Sequence, residues 1–370
     1  MELLVAVGSL LWVALILVPW RPWSTRERLE PGDPGDGTDL SDVTVLIPAR
    51  NEGNVIGRTL SALRREGKGL RVTLVDDQSS DETASIARST LPTHLKIIQG
   101  DPLPAGWTGK IWALEQGWRG VDSDFVLLLD ADIELQPGML EALKRKLIDE
   151  NLALVSIMAQ LRMESFWEKL LVPAFVYFFK LLYPFAVGND PQSNLGVAAG
   201  GCILLRSDSL RMIGGFDALR NAIIDDCSLA RKIKKSGSQT WIGLSHSVRS
   251  HRPYSRLSNF WEMVERSAFT QLKYSSRLLL ATTFVMLLGF WLPWAGLFSP
   301  YLALRIVAIF GVSAMTLSYL PMLRYYHRSI FWVPMLPLIS GLYLLMTWSS
   351  ALRYWRGMRS KWKGRVYARS

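Results

Sequence analysis

Cysteine and histidine are nearly absent from this chain. Two cysteines in 370 residues, Cys202 and Cys227, cannot build a disulfide framework or a thiolate metal cage. So few cysteines fit a reducing, cytosolic side. Four histidines leave little from which to assemble a His-based zinc centre. Also missing are a zinc finger, a basic helix with base-reading spacing and an internal repeat, so a nucleic-acid partner is not expected despite the net charge of +10. Much of that surplus lies beside apolar runs and in the last 18 residues, Arg353 to Ser370, which hold seven Lys or Arg and no acid. This distribution points to a membrane surface as the anionic partner.

What is abundant is apolar sequence: 49% of the residues are hydrophobic, mean hydropathy is positive, and there are 15 tryptophans. Leu3 to Trp20 is almost uninterrupted and is followed by Arg21, Arg26 and Arg28. It lacks the basic start and small-residue cleavage site of a signal peptide, so residues 1–22 read as a transmembrane anchor with its C-terminal flank in the cytoplasm. Residues 23–42 read as a linker rich in Pro, Gly and Asp. Leu278–Phe298, Tyr301–Leu323 and Ile330–Leu352 are three further candidate spans, giving a membrane region over 275–352 and a basic cytoplasmic tail over 353–370. Three full crossings after a cytoplasmic domain would leave that tail outside. One segment is therefore expected to be re-entrant or interfacial, and Leu278–Phe298, with Pro293 and two Trp, is the candidate.

Residues 43–274 read differently, as alternating strands and helices. Val43–Ile47, Leu70–Val75, Leu95–Ile98, Phe125–Leu129, Leu152–Met158 and Gly200–Leu205 are apolar enough for strands, and Asn54–Arg65, Ile111–Arg119 and Met139–Asn151 carry helical spacing. Such alternation implies an α/β fold with a doubly wound, mostly parallel sheet. Phe166 to Val187 is aromatic and apolar but carries Glu168, Lys169 and Lys180; a buried helix and an interfacial helix lining an acceptor path both fit. His246 and His251 fall in a Ser/Arg-rich stretch that reads as a surface or substrate loop.

Polar clusters follow the first, second and fourth strands. The first is Pro48-Ala49-Arg50-Asn51-Glu52, the second Asp76-Asp77-Gln-Ser-Ser-Asp81, the third Asp130-Ala-Asp132. Ligands of open α/β sheets collect at strand carboxyl ends. Side chains on a strand alternate with period two, so Asp130 and Asp132 project to the same side, where they repel unless a cation intervenes. Oxygen-only ligands suit Mg²⁺ or Mn²⁺; a polar strand end entering a turn is the plainer alternative.

These motifs together resemble family 2 glycosyltransferases of the GT-A fold over Val43 to about Tyr274. The resemblance implies that Asp77, with Asp76 beside it, contacts the uracil of a UDP-sugar and that Pro48, Ala49, Arg50 and Glu52 line the nucleotide. It implies Asp130 near the ribose or diphosphate, Asp132 on a divalent cation, and Lys110 near the diphosphate. The later acidic pair matches Asp225-Asp226, with Asp226 as general base. A closer resemblance, covering nearly the whole chain, is to the hopanoid-biosynthesis-associated glycosyltransferases. It is carried by Pro104-Ala-Gly-Trp-Thr-Gly-Lys-Ile-Trp-Ala113, Pro184-Phe-Ala, Asn189-Asp-Pro191, Ala199-Gly-Gly-Cys202, Ile224-Asp-Asp-Cys-Ser-Leu-Ala230 and Trp362-Lys-Gly-Arg365. It implies a nucleotide-sugar donor, a lipid acceptor of terpenoid type and a multi-pass bacterial inner-membrane protein with its catalytic domain on the cytoplasmic face. One departure is plain. Where processive polysaccharide synthases carry Gln-x-x-Arg-Trp, this chain has Glu262-Met-Val-Glu265-Arg266-Ser267. Arg266 is the matching arginine for the diphosphate, and the missing Trp favours single transfer over polymerisation. Two rival readings are weaker. A nucleotidyltransferase should carry a Gly-rich basic loop after the first strand, and a catalytically dead scaffold should have lost an acid.

Overall fold

The computed structural model describes residues 2–32, 38–91, 93–220, 222, 224–362 and 365–368, and the side chains of these up to residue 358. Strands form where apolar runs can be buried on both faces. These are β1 (Val43–Ala49), β2 (Arg71–Asp76), β3 (Leu95–Gln99), β4 (Phe125–Leu129), β5 (Ile133–Leu135), β6 (Leu154–Gln160), β7 (Cys202–Arg206) and β8 (Thr240–Ser250). They make one sheet in the order β3-β2-β1-β4-β7-β6-β8-β5. Pairs β1–β2, β2–β3, β1–β4 and β6–β8 are parallel, whereas β7 runs against β4 and β6, and β5 against β8. Six strands thus share one direction, and their carboxyl ends lie along one edge.

Helices cover both faces. Gly53–Leu63 and Met139–Asp149 close one core with Ile47, Leu74, Leu127 and Leu143; Gly109–Trp118 and Asp225–Lys235 close the other with Leu46, Leu128, Ile203 and Ile233. A third core joins the sheet to the apolar C-terminal half. There the helix Phe166–Leu182 is packed between Ile242 and Leu244 of β8 and Tyr319, Met322, Ile339 and Tyr343. Most of that helix is therefore buried, as the plainer of its two sequence readings holds. A capping box fixes its start. Ser165 Oγ accepts from Glu168 N (3.2 Å), and the Glu168 carboxylate accepts from Ser165 N (2.8 Å) and Tyr254 N (2.7 Å).

Ser276–Gly296, Leu302–Tyr325 and Ile330–Trp355 are long and apolar enough to cross a membrane. The first bends at Trp291, between the helices Ser276–Phe290 and Leu292–Gly296. The N-terminal segment corrects the sequence reading in length: its helix, Glu2–Leu17, has 16 residues, about 24 Å of rise against a hydrocarbon core of about 30 Å. It lies against the C-terminal helices through small residues, which allow close approach. A Cβ on Gly311 would fall 2.6 Å from Ser9, and one on Gly296 would fall 2.5 Å from Val5. Trp12 Nε1 donates to Gly289 O (2.6 Å).

The stretch read as a linker is partly tied down. Leu244 N donates to Glu27 O (2.9 Å) and Leu29 N to Leu244 O (3.1 Å), so Glu27–Leu29 runs along β8. The Glu30 carboxylate accepts from Ser245 Oγ, His246 N and Ser247 Oγ. The Glu27 carboxylate meets the buried Lys180 ammonium at 2.9 Å. Within the tail, β9 (Met358–Trp362) pairs antiparallel with β10 (Arg365–Ala368).

Candidate active site

The register of β1 with β2 sets Ala49 opposite Asp76, so the two polar loops leave the sheet side by side. They are stitched together. Arg50 Nη1 donates to Asp77 O (2.5 Å) and Gln78 O (3.2 Å), Asn51 N to Ser79 Oγ (3.0 Å), and Asn51 Oδ1 accepts from Ser80 N (2.8 Å). Asn51 and Gln78 sit at φ 52° and 57°, a region that side-chain-bearing residues seldom adopt. Strain at two adjacent loops, held by cross-loop bonds, marks a backbone kept in a required shape. Asp81 accepts from Gly53 N (3.0 Å) and Thr83. Burial works against its charge, but these donors hold its carboxyl below the usual range. Pro48 and Ala49 are buried inside β1 and can offer only backbone. Asp76 and Asp77 are buried, and the Asp76 carboxylate accepts from Ser79 N (3.0 Å).

The Asp-x-Asp pair is not on a strand. β4 stops at Leu129 and β5 starts at Ile133, so Asp130–Asp132 is a turn, closed by Ile133 N donating to Asp130 O (3.1 Å). Period-two alternation therefore does not set their directions. Two different cations do. Lys110 Nζ lies 2.8 Å from Asp130, 3.8 Å from Asp225 and 3.1 Å from Gly200 O. Burial opposes the ammonium, yet Asp130 and Asp225 hold its pKa above the usual lysine range. Gly200 permits this crowding: a Cβ there would stand 3.2 Å from Lys110 Nζ and 3.3 Å from Asp226 Oδ2. Asp225 and Asp226 open the helix Asp225–Lys235, where backbone N–H groups favour anions. Burial, then the Asp225 charge, pushes the Asp226 carboxyl up to about 6, against the Cys227 N–H that it accepts at 2.7 Å.

On the other side Arg252 Nη2 reaches Glu52 (2.7 Å) and Asp132 (2.9 Å), while Ser250 Oγ bonds the second Asp132 oxygen. Arg252, Ser250 and Gly200 were not singled out as site residues from the sequence. A strand over residues 240–250 would have revealed the first two, since β8 runs parallel to β6 and ends at the same edge. The Ser/Arg-rich stretch is thus mostly strand rather than loop. His246 lies within it and stacks on Tyr325 (4.1 Å between ring centres); His251 follows it and pairs with Glu134. Arg266 is not brought in. It is exposed at the C-terminal end of the helix Leu257–Glu265 and in no ion pair among the described residues.

The centre therefore gathers five carboxylates, from Glu52, Asp130, Asp132, Asp225 and Asp226, around two cations, Lys110 and Arg252. With all five ionised the formal charge is −3. Added positive charge would favour an anionic ligand in such a site. Among the described residues no three His, Cys, Asp or Glu side chains converge as a complete metal cage. Asp130 and Asp132 offer two carboxylates, the donor set of a Mg²⁺-like ion that completes its shell with phosphate oxygens and water.

Residues 44–214 match the profile described as Glycosyl transferase family 2. A mannosyltransferase from Pyrobaculum calidifontis, solved in complex with GDP-Man and Mn²⁺, superposes with a TM-score of 0.56 at 17% identity, over 95% of this chain and 98% of that one. That similarity is one of fold. Among curated proteins, a 4,4'-diaponeurosporenoate glycosyltransferase from Staphylococcus haemolyticus is 32% identical over 99 residues, and one from Staphylococcus aureus (strain MRSA252) is 34% identical over 102. The chain matches about a quarter of the length of these relatives, 26% and 27%.

Proposed function

We propose that this chain, whose residues 44–214 match the family 2 glycosyl transferase profile, is a membrane-bound, inverting glycosyltransferase moving one sugar from a nucleotide-sugar to a lipid hydroxyl. The observation that carries the reading is the joining of Asp130, Asp225 and Asp226 around one lysine at the carboxyl edge of the sheet. The stitched loops after β1 and β2 cradle the nucleoside, with Asp76 and Asp77 at the base, for which uracil is the proposed partner. Asp130 and Asp132 would hold a Mg²⁺ or Mn²⁺ ion, which supplies positive charge against the diphosphate.

Lys110 stays protonated beside the leaving group's site and offsets charge developing there. Asp226 accepts the proton of the attacking hydroxyl. A carboxyl pushed up to about 6 is still ionised at neutral pH but far more basic than an exposed one. Burial and Asp225 thus tune the base, and the N–H of Cys227 orients it. The site offers this one base and no second carboxylate assigned as a nucleophile, so attack on the anomeric carbon inverts it.

The length and apolar composition of Ser276–Gly296, Leu302–Tyr325 and Ile330–Trp355 support a bilayer setting. Helix Phe166–Leu182 binds that region to the sheet, so the site is held at a set distance from the lipid. We place residues 43–274 on the cytoplasmic face of a bacterial inner membrane, with the bent Ser276–Gly296 segment inserted without crossing. The acceptor is a terpenoid lipid of hopanoid type, supported by the motifs shared with that subfamily. Comparative lipid profiling of a deletion strain and wild type tests this. A glycosylated terpenoid lipid absent from the deletion supports it, and unchanged lipids overturn it.

A further inference from the structure

Arg252 is the one cation of the site that the sequence motifs left unassigned, and its geometry is specific. A single nitrogen, Nη2, bridges carboxylates from two separate loops, Glu52 at 2.7 Å and Asp132 at 2.9 Å. The carboxylates are nearly buried, at 9% and 8% side-chain exposure, while the Arg252 side chain is 30% exposed. Each side-chain oxygen of Asp132 already has a partner from within the protein. Oδ1 accepts from Arg252, Oδ2 from Ser250 Oγ, and its backbone oxygen from His251 N (2.9 Å). Asp130, by contrast, is 34% exposed. A divalent ion held by these two carboxylates would compete with Lys110 for Asp130 and with Arg252 for Asp132 Oδ1.

Resting on the proposed metal-dependent reading, we propose that Arg252 is an exchangeable internal counter-ion. It neutralises Asp132 while the metal is absent, yields that carboxylate when the metal binds, and is kept in the site by Glu52. Three features support exchange over a fixed clasp. The Arg252 side chain is the most exposed of the trio. It has a second carboxylate to hold it after Asp132 is given up. Without it Asp132 would have no cation of its own, while its neighbour Asp130 keeps Lys110, so a metal-free site gains from such a stand-in. Arg252 is thus a positioning residue: it holds Asp132 in place and sets how tightly the metal binds before any nucleotide arrives.

Exchange makes the arginine a competitor of the metal, which a clasp is not. The experiment is Mn²⁺ binding to the purified full chain in detergent, without nucleotide, followed by electron paramagnetic resonance. Arg252→Met should bind Mn²⁺ about tenfold or more tightly than wild type, the scale set by one charged hydrogen bond no longer broken on binding. Arg252→Lys, which keeps the charge but not the fork, should fall between them. Glu52→Gln leaves the guanidinium to Asp132 alone and should weaken Mn²⁺ binding, opposite in direction to Arg252→Met. Equal or weaker binding by Arg252→Met overturns the proposal, because a clasp whose loss loosens the site predicts that. Should Arg252→Met not fold, guanidine-specific phenylglyoxal labelling of wild type decides. Mn²⁺ should raise modification at Arg252, and unchanged labelling overturns the exchange. A wild type that binds no Mn²⁺ even with UDP overturns both this proposal and the metal-dependent reading. Mn²⁺ binding without the predicted change in Arg252→Met removes the exchange alone.

Discussion

Replacing Asp226 by Asn removes one negative charge while keeping size and hydrogen-bonding capacity, and its two consequences run in opposite directions. The variant cannot take a proton from the attacking hydroxyl, so turnover should fall by roughly 10²–10⁴-fold while nucleotide binding survives. Stability should rise. The carboxyl is raised from 3.8 to about 6 by burial and by Asp225, which corresponds to roughly 3 kcal/mol favouring its neutral form. The side chain is only partly shielded from water, so about 1–2 kcal/mol is the realistic gain. The folded carboxyl binds its proton more tightly than the unfolded one. The penalty for ionising it is therefore complete above about pH 6 and gone below about pH 4. Thermal unfolding in detergent, followed by tryptophan fluorescence, should show Asp226→Asn melting above wild type at pH 7.5, with the gap closing toward pH 4.5. Wild-type turnover should itself decline as pH falls through about 6. An active variant, or one whose stability matches wild type at both pH values, refutes the argument that a strained base drives transfer. Asn caps a helix nearly as well as Asp, so a capping role predicts that null result.

Three further outcomes follow from other parts of the structure. EDTA should abolish transfer by wild type and added Mn²⁺ or Mg²⁺ restore it, and Asp132→Ala should stay inactive throughout; full activity in EDTA removes the metal. Gly200→Val should retain the fold but lose most turnover, because its Cβ alone would stand 3.2 Å from Lys110 Nζ and 3.3 Å from Asp226 Oδ2; wild-type kcat would show that the site has room to spare. Glu27→Gln leaves the buried Lys180 without its carboxylate and should lower stability by about 1–3 kcal/mol. Its check is thermal unfolding, with Glu27→Gln/Lys180→Met recovering part of the loss; an unchanged melting temperature would mean that the linker–domain ion pair contributes nothing.

The sheet centre was legible because runs such as Val43–Ile47 and Phe125–Leu129 have no other stable placement than burial on both faces. Their ends were legible because acids cannot follow the strand inward. Asp-x-Asp was the exception in detail: its chemistry could be read, but whether the strand continued through it could not, and it turns instead. β8 was missed for a different reason. Ser245, His246 and Ser247 break the apolar pattern, and they are tolerated in a strand because Glu30 of a remote segment bonds all three. With β8 hidden, Arg252 and Ser250 could not be placed at the carboxyl edge. Lys110 illustrates a third limit. Nothing in its helix marks it locally, and its role depends on Gly200 leaving room for three carboxylates to converge.

The most direct test of the whole account is transfer itself. Purified full-length protein, Mn²⁺, a panel of labelled nucleotide-sugars and a bacterial lipid extract would be incubated together, and label partitioning into the organic phase counted. The account predicts that one donor transfers label to lipid with inverted anomeric configuration, and that omitting the lipid or substituting Asp226→Asn abolishes it. Label that stays in the aqueous phase for every donor, or reaches lipid equally well with Asp226→Asn, would contradict it.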